Sequence, residues 1–230
     1  MDHRSWANRT WYRFCRWICR VVSVLFFRFR FHGAEHFPAE GGALVLSNHQ
    51  SFLDPAFVGQ CHSRRMNFVA RTTLSSSLIF RLVAGPLDPI PLDREGIGLA
   101  GIKEMLKRAR RGEIIALFPE GTRTSDGELS ELKPGFATIC KRAKLPIIPA
   151  ALDGAFQVWP RGKKFPRRGI VQMEYGRPIL PDEYADWNDD RLVFEVTKRM
   201  GECLARAQRL RAMRERRRLL SRHDCVQRTS

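Results

Sequence analysis

Long uncharged apolar runs are absent from the sequence, and its mean hydropathy is -0.32. These two features exclude a protein built from many membrane-spanning helices. A hydrophobic fraction of 43% equally excludes an intrinsically disordered chain. The 230 residues therefore suffice for one large domain with a sizeable core, or for one domain with appendages.

Paired cysteines and a nucleophile elbow are also missing. The six cysteines form no CxxC pair and no zinc-ligand spacing. Reduced thiols in a cytosolic compartment are therefore predicted, and the lack of a cleavable signal agrees with this prediction. No serine or cysteine lies in an elbow motif, so the sequence presents no nucleophile of that kind.

Acidic residues are scarce, since 24 Asp and Glu face 40 Lys and Arg for a formal net charge of +16. The excess lies at the ends. Residues 1–32 hold seven Arg and one Asp, and residues 206–218 hold seven Arg and one Glu. An anionic partner or surface is therefore expected. A non-enzymatic basic module that binds nucleic acid or membrane is a remote alternative, because no nucleic-acid motif accompanies the charge.

The N-terminal segment, residues 11–31, mixes aromatic and cationic side chains. Its longest uncharged run, residues 21–27, covers about 10 Å, whereas a spanning helix must cross about 30 Å of hydrocarbon. Arg13, Arg16 and Arg20 recur at helical spacing, which predicts an amphipathic helix in the interface of an anionic leaflet. The alternative is a helix packed on the core of its own domain, with its Arg face in water.

The middle of the chain alternates between short β-rich runs and amphipathic helical stretches. This pattern predicts an α/β fold with a largely parallel or mixed central sheet and helices on both faces. Strands are predicted at 43–46, 67–70, 113–118, 146–152 and 170–175, and helices at 97–110 and 135–144.

Three regions are predicted along the chain. Residues 1–32 form the N-terminal amphipathic membrane-associating segment, 33–185 the α/β domain, and 186–230 a C-terminal amphipathic basic helix and tail. The Arg-dense end of that helix is either solvated or a second contact to anionic lipid.

Polar clusters follow two of the predicted strands. Residues 47–55, with His49 and Asp54, follow the first strand, and residues 118–123, with Arg123, follow a later one. The carboxyl ends of parallel strands form the usual ligand crevice, so the two clusters are expected to face each other. There His49 would act as a base, Asp54 would fix its tautomer, and Arg123 would hold an anionic group.

Each cluster also has a purely structural interpretation. His49 could be a satisfied strand-end histidine, and Ser51 with Asp54 could cap a helix. The second cluster could be an ordinary turn that leaves Arg123 on the surface. It is the joint occurrence of both clusters that favours a site.

Taken in order, these blocks resemble the lysophosphatidic acid type of glycerolipid acyltransferases. Asn48, His49 and Asp54 match the NHxxxxD block of that family, and residues 118–123 match its FPEGTR block. Residues 88–94 and 145–149 resemble two further blocks, so the resemblance covers roughly residues 33–180. One departure concerns residues 71–74, where the basic residue of the family pattern is kept and the acidic one is not. It bears on the acceptor rather than on the reaction.

The resemblance implies O-acyl transfer from an acyl thioester to the free hydroxyl of lysophosphatidic acid, which gives phosphatidic acid for phospholipid synthesis. It implies that His49 and Asp54 are catalytic, and that the substrate-binding residues are Asn48, Arg94, Glu120, Gly121, Thr122 and Arg123. In this interpretation Arg123 and Arg94 hold the acceptor phosphate. No metal or cofactor is implied, and acyl-CoA or acyl carrier protein is the co-substrate.

Two further expectations concern the acceptor and, from the N-terminal segment together with a membrane-resident acceptor, the location. A same-family enzyme with another acceptor, such as a lysophospholipid or an amino-acid lipid, is the main alternative. The expected location is the cytoplasmic face of the inner membrane, with peripheral or monotopic attachment to an anionic surface.

Overall fold

The computed structural model describes residues 5–71, 88–92 and 98–227. Seven strands lie within these residues: β1 (Arg30–His32), β2 (Ala43–Ser47), β3 (Met66–Arg71), β4 (Ile90–Leu92), β5 (Ile114–Leu117), β6 (Ile147–Asp153) and β7 (Gln172–Tyr175). They form one sheet in the order β1-β7-β6-β2-β5-β3-β4. Neighbours run parallel, except that β6 and β7 are antiparallel. The strands β2, β5 and β6 therefore end at one edge of the sheet, called the carboxyl edge below.

Helices cover both faces of this sheet. They are α1 (Trp6–Phe27), α2 (Asp54–Gly59), α3 (Leu99–Arg110), α4 (Gly135–Ala143), α5 (Ala155–Val158) and α6 (Asp189–Gln227). The predicted α/β class, with a mixed sheet, helices on both faces and an N-terminal helix, is confirmed.

The core is divided by the sheet because successive side chains of a strand point to opposite faces. Leu44 and Leu46 of β2 pack on one face against side chains of α3, α4 and α6. Ala43 and Val45 pack on the other, with Phe57 of α2 and the C-terminal end of α1. The strand β2 is buried along its whole length, which explains why its residues 43–46 form an unbroken apolar run.

The helix α1 packs against the domain through a mostly polar side. Arg16 donates two hydrogen bonds of 2.7 Å to the carbonyl oxygens of His62 and Ser63. The buried hydroxyl of Ser23 accepts a 2.8 Å hydrogen bond from Gln60 Nε2. Near its C-terminal end, Phe27 inserts its ring edge-on against Phe57.

The exposed surface of α1 is largely apolar, and it also carries Arg9, Arg13 and Arg20. More than half of the exposed large apolar side chains in the described part of the chain belong to this helix: Trp6, Trp11, Phe14, Trp17, Ile18, Val21, Val22, Val24, Leu25 and Phe26. Among the described residues, no helix has the length and apolar character needed to cross a membrane. The N-terminal segment is thus packed on the domain and, at the same time, presents an apolar face to its surroundings.

The N-terminal segment also enters the sheet. Its last residues form β1, which pairs in parallel with β7 through Arg30 and Gln172, Phe31 and Met173, and His32 and Glu174. At the other end of the chain, α6 runs for 39 residues and packs chiefly on β6 and β7. The two ends of the described chain therefore meet on the same part of the sheet.

Candidate active site

His49 lies just beyond the end of β2, at the carboxyl edge. Its ring Nδ1 is 2.7 Å from Asp54 Oδ2. The ring stacks on Phe118, with centroids 4.2 Å apart and planes 16° apart. The His49 side chain is 21% exposed, whereas Asp54 is fully buried. No residue that the structure describes forms a hydrogen bond with Nε2, so this nitrogen is left for a ligand.

Among the described residues, only one oxygen of the Asp54 carboxylate, Oδ2, takes part in hydrogen bonds. Besides His49, Oδ2 accepts hydrogen bonds from the backbone N–H groups of Gln50 (2.6 Å) and Ser51 (2.7 Å). The other oxygen, Oδ1, is buried without a partner among the described residues. Burial raises the pKa of Asp54, and the hydrogen bond from His49 opposes this shift. Asp54 begins α2 and makes no hydrogen bond as a cap of that helix, so its contacts serve His49 and the loop before it.

This geometry determines which nitrogen of His49 can act as a base. A carboxylate oxygen that already accepts two backbone N–H groups is an acceptor, so Nδ1 carries the proton and donates it to Asp54. Nε2 is then the basic nitrogen of the neutral ring. Proton transfer to Nε2 would create an imidazolium directly beside a buried carboxylate, which would stabilise it.

Glu120 is a buried residue of the second polar cluster, and its side chain forms a hydrogen bond that connects the two clusters. It is 3% exposed, and Oε1 accepts a 2.7 Å hydrogen bond from the backbone N–H of His49. Its Oε2 accepts from the backbone N–H of Ser130 at 3.1 Å. A second link runs from Thr124 N–H to His49 O at 2.8 Å. The clusters therefore meet as predicted, and Glu120 fixes the backbone that carries His49.

Asn48 extends the sheet beyond the end of β2. Its Nδ2 donates to Leu152 O at 2.9 Å, and its Oδ1 accepts from Leu152 N at 2.7 Å. The side-chain amide thus substitutes for a peptide group in the pairing of β2 with β6. With 1% exposure and both amide atoms bonded to backbone, Asn48 contributes position rather than an open binding group. Substrate binding by Asn48 and Glu120 stays a prediction, and their contacts here are internal.

The turn after β5 presents the remaining residues of the second cluster. Gly121 has a φ of +72°, a left-handed conformation that strains any other residue, and its N–H donates to Phe118 O at 3.0 Å. Thr122 is exposed and Arg123 is half-buried. No carboxylate in the described part of the chain forms an ion pair with Arg123, so its guanidinium is available to an anion.

Two elements of the sequence predictions cannot be placed. Arg94 and residues 72–74 lie outside the described residues. Within residues 5–71, 88–92 and 98–227 no three His, Cys, Asp or Glu side chains group as metal ligands would. The cysteines whose side chains are described, which are Cys15, Cys19, Cys61, Cys140 and Cys203, are free thiols.

Sequence reasoning did not assign positioning roles to Phe118, Gln50 or Ser130. Phe118 was visible as part of a motif, but its role under the His49 ring depends on the fold. Gln50 is buried, and its amide donates to Gly127 O at 2.7 Å and accepts from Phe156 N at 3.3 Å. A glutamine directly after the candidate base His49 is the only signal in the sequence that could have suggested this role.

The sequence of this chain is similar to those of several known proteins. The sequence profile of a family described as Acyltransferase matches residues 28–153, more than half of the chain. A 1-acyl-sn-glycerol-3-phosphate acyltransferase of Bacillus subtilis is 28% identical over 175 residues, which are 76% of this chain and 85% of that protein. The enzyme of the same name from Pseudomonas aeruginosa is 29% identical over 197 residues, 83% of this chain and 72% of its own.

One solved structure has a fold similar to that of this chain. The crystal structure of the 1-acyl-sn-glycerophosphate (LPA) acyltransferase PlsC from Thermotoga maritima superposes with a TM-score of 0.72 at 23% sequence identity. The match covers 86% of this chain and 81% of that one. The two chains share a fold.

Proposed function

The chain belongs to the acyltransferase family of the lysophosphatidic acid type, and within that family we propose that it acylates the free hydroxyl of 1-acyl-sn-glycerol 3-phosphate. The product would be phosphatidic acid. The observation that carries this proposal is the 2.7 Å contact between His49 Nδ1 and Asp54 Oδ2, with Nε2 left open near the turn that bears Arg123. The choice of acceptor in this proposal rests on the names of the relatives.

In the proposed reaction His49 Nε2 takes the proton of the acceptor hydroxyl as its oxygen attacks the thioester carbonyl carbon. The C–S bond then breaks, and the thiol leaves with the proton returned by the imidazolium. The ester is formed and His49 is neutral again. Base catalysis of this kind contributes about 10² to 10⁴-fold. No covalent enzyme intermediate is needed, and the thioester would come from acyl-CoA or acyl carrier protein.

Arg123 is proposed to hold the acceptor phosphate. Its guanidinium can donate two parallel hydrogen bonds to phosphate oxygens, which fixes the orientation of the glycerol as well as its charge. The turn at Gly121 supports this role because the residue after Arg123, Thr124, donates its backbone N–H to His49 O, which holds the chain next to His49. Arg94 is proposed as a second phosphate ligand on the basis of the sequence motif alone.

The acceptor resides in a membrane, and α1 supports a proposal for how the enzyme reaches it. The polar contacts of this helix face the domain, while most of its aromatic and aliphatic side chains are exposed, together with Arg9, Arg13 and Arg20. Exposed apolar side chains with arginines among them suit burial in the interfacial region of a bilayer. We propose peripheral or monotopic attachment at the cytoplasmic face of the inner membrane.

The test is an assay of the purified enzyme with an acyl thioester and a panel of lyso acceptors, read by the mass of the product. The panel contains lysophosphatidic acid, other lysophospholipids and an amino-acid lipid, and both acyl-CoA and acyl carrier protein serve as donors. Phosphatidic acid is the expected main product, and His49→Ala is the matched inactive control. Preferential acylation of another lyso acceptor would assign the alternative acceptor instead.

A further inference from the structure

A cleft of about 400 Å³ opens where α1 ends and α6 passes over the edge of the sheet. Its apolar wall is formed by Val24, Phe29 and Ile170. The remaining lining residues are all arginines: Arg28, Arg30, Arg214 and Arg217. Two come from the N-terminal part of the chain and two from α6, so the cleft exists only in the folded domain.

The positive charge in this cleft is not compensated. No carboxylate among the described residues forms an ion pair with any of its four arginines, whereas Arg211, one turn earlier on α6, pairs with both Asp153 and Glu215. Arg214 donates to Gln172 Oε1 at 3.1 Å and to the carbonyl oxygen of Arg28. Burial lowers the pKa of Arg214 to about 10, with further lowering by Arg30 and Arg28. Neutral acceptors therefore hold Arg214 in place, and an anion in the cleft would relieve the repulsion.

The cleft opens at the same end of the sheet as His49. Arg30 pairs with Gln172, and Gln172 pairs with Asp153, the last residue of β6. Three strand spacings of about 4.8 Å separate β1 from β2, which places the cleft about 14 Å to the side of the strand that carries His49. The site is thus separate from the acceptor site proposed for Arg123, and it adjoins the exposed apolar face of α1 at Val24.

We propose that this cleft binds a phosphate group, as carried by the headgroup of an anionic lipid or by a soluble phosphate ester. Arginine forks from two directions can surround a phosphate, and the apolar wall can contact the alkyl part attached to it. The site requires neither His49 nor Arg123, so it goes beyond the proposed function.

The test compares two pairs of substitutions that remove equal charge. Arg30→Gln with Arg217→Gln removes two exposed arginines of the cleft whose side chains form no hydrogen bond with the residues that the structure describes. Arg209→Gln with Arg216→Gln removes two exposed arginines of α6 that do not line the cleft. Binding of inorganic phosphate and glycerol 3-phosphate is measured by calorimetry. Binding to phosphatidylcholine vesicles with and without phosphatidylglycerol is measured by sedimentation.

The cleft pair is expected to weaken binding to vesicles with phosphatidylglycerol by about 25-fold relative to the control pair, since each arginine near an anionic surface contributes about fivefold. Both pairs of variants keep Arg123, so any phosphate that binds there adds equally to the two measurements and does not affect their comparison. Selective loss with the soluble phosphates assigns a phosphate-ester site, and selective loss with anionic vesicles alone assigns a lipid-headgroup site. Equal weakening by both pairs, or no weakening by the cleft pair, overturns the proposal.

Two controls keep this test independent of folding and of the proposed reaction. Thermal unfolding of both pairs shows whether they fold, and Arg30→Lys with Arg217→Lys provides a milder variant that keeps the charge. The Lys pair is expected to lose part of the binding because it lacks the planar fork. His49→Ala is expected to bind inorganic phosphate and vesicles like the wild type, because His49 does not line the cleft, so a failure of the catalytic assignment leaves these two results unchanged.

Discussion

Replacing Asp54 by Asn tests the catalytic geometry most directly. The sequence alone suggests that Asn would favour the wrong tautomer of His49. The structure changes that expectation, because one oxygen accepts from His49 Nδ1 and from two backbone N–H groups. An Asn side chain would keep its carbonyl oxygen at that position, since its NH₂ group would face two donors there. His49 would therefore remain protonated on Nδ1, and only the negative charge would be lost.

The magnitude follows from that lost charge. Two unit charges about 4 Å apart interact by about 4 kcal/mol at an effective dielectric constant of about 20. If this stabilisation acts fully on the imidazolium in the transition state, kcat falls by up to about 10³-fold. The NH₂ group would occupy the position of the unpartnered Oδ1, where an unsatisfied donor costs about 1 to 3 kcal/mol. Burial of the Asp54 carboxylate is unfavourable, as its raised pKa shows, and the uncharged Asn side chain avoids this cost. That gain offsets part of the cost of the unsatisfied donor.

Three measurements check the prediction: kcat, the free energy of unfolding in urea, and the ¹⁵N chemical shifts of the His49 ring. We expect a large loss of kcat, a stability change below about 2 kcal/mol and an unchanged Nδ1–H tautomer. Asp54→Ala is the control, because it also leaves the N–H groups of Gln50 and Ser51 without an acceptor and should unfold more easily. A variant with Asn that keeps kcat within about threefold of wild type, or that carries the Nε2–H tautomer, would refute the reasoning.

Four further predictions concern other parts of the molecule. His49→Ala should lower kcat by about 10² to 10⁴-fold with little change in the melting temperature, and wild-type turnover would contradict its role as base. Arg123→Lys should raise KM for the acceptor while leaving the thioester KM nearly unchanged, and an equal rise in both would move Arg123 out of the acceptor site. Trp17→Gln with Leu25→Gln should weaken vesicle binding far more than Leu99→Gln with Phe194→Gln. All four side chains are exposed, but only the first two lie on α1, and each is worth about 1.5 to 3 kcal/mol when buried. Burial raises the pKa of Cys203 to about 11 from its usual 9.0, so the native state keeps a proton that the unfolded chain loses. Stability should therefore fall as the pH rises from 9 to 11, by up to about 1.4 kcal/mol per pH unit for this thiol, and urea titrations of Cys203→Ala should show a smaller fall.

Much of the central sheet could be predicted from sequence because its strands are short, fully buried apolar runs. The runs at 43–46 and 146–152 correspond to β2 and β6, and the helix predicted at 97–110 corresponds to Leu99–Arg110. By contrast, β1 and β4 have only three residues each, and β4 contains Pro91. Such segments carry no readable periodicity, since their strand conformation depends on a neighbour distant in sequence.

The candidate active site could likewise be predicted from the sequence only in part. The carboxyl ends of β2 and β5 could be predicted to meet, because parallel strands end at one edge of a sheet. The internal roles of Asn48 and Glu120 could not, since a polar residue in a motif gives no sign of whether it faces a ligand or a backbone amide. The helix α1 illustrates the same limit: Arg16 belonged to the predicted cationic face, yet its guanidinium is directed at backbone carbonyls of the domain.

The pairing of β1 with β7 also has a consequence for synthesis of the chain. His32 and Glu174, which are hydrogen-bonded across these strands, are 142 residues apart in sequence. At a translation rate of about 5 to 20 residues per second, α1 and β1 wait roughly 7 to 28 seconds before β7 leaves the ribosome. During that interval the apolar face of α1 is exposed and the edge that β1 will complete does not yet exist. We therefore expect α1 of the nascent chain to contact a membrane surface or a chaperone before the catalytic domain has folded.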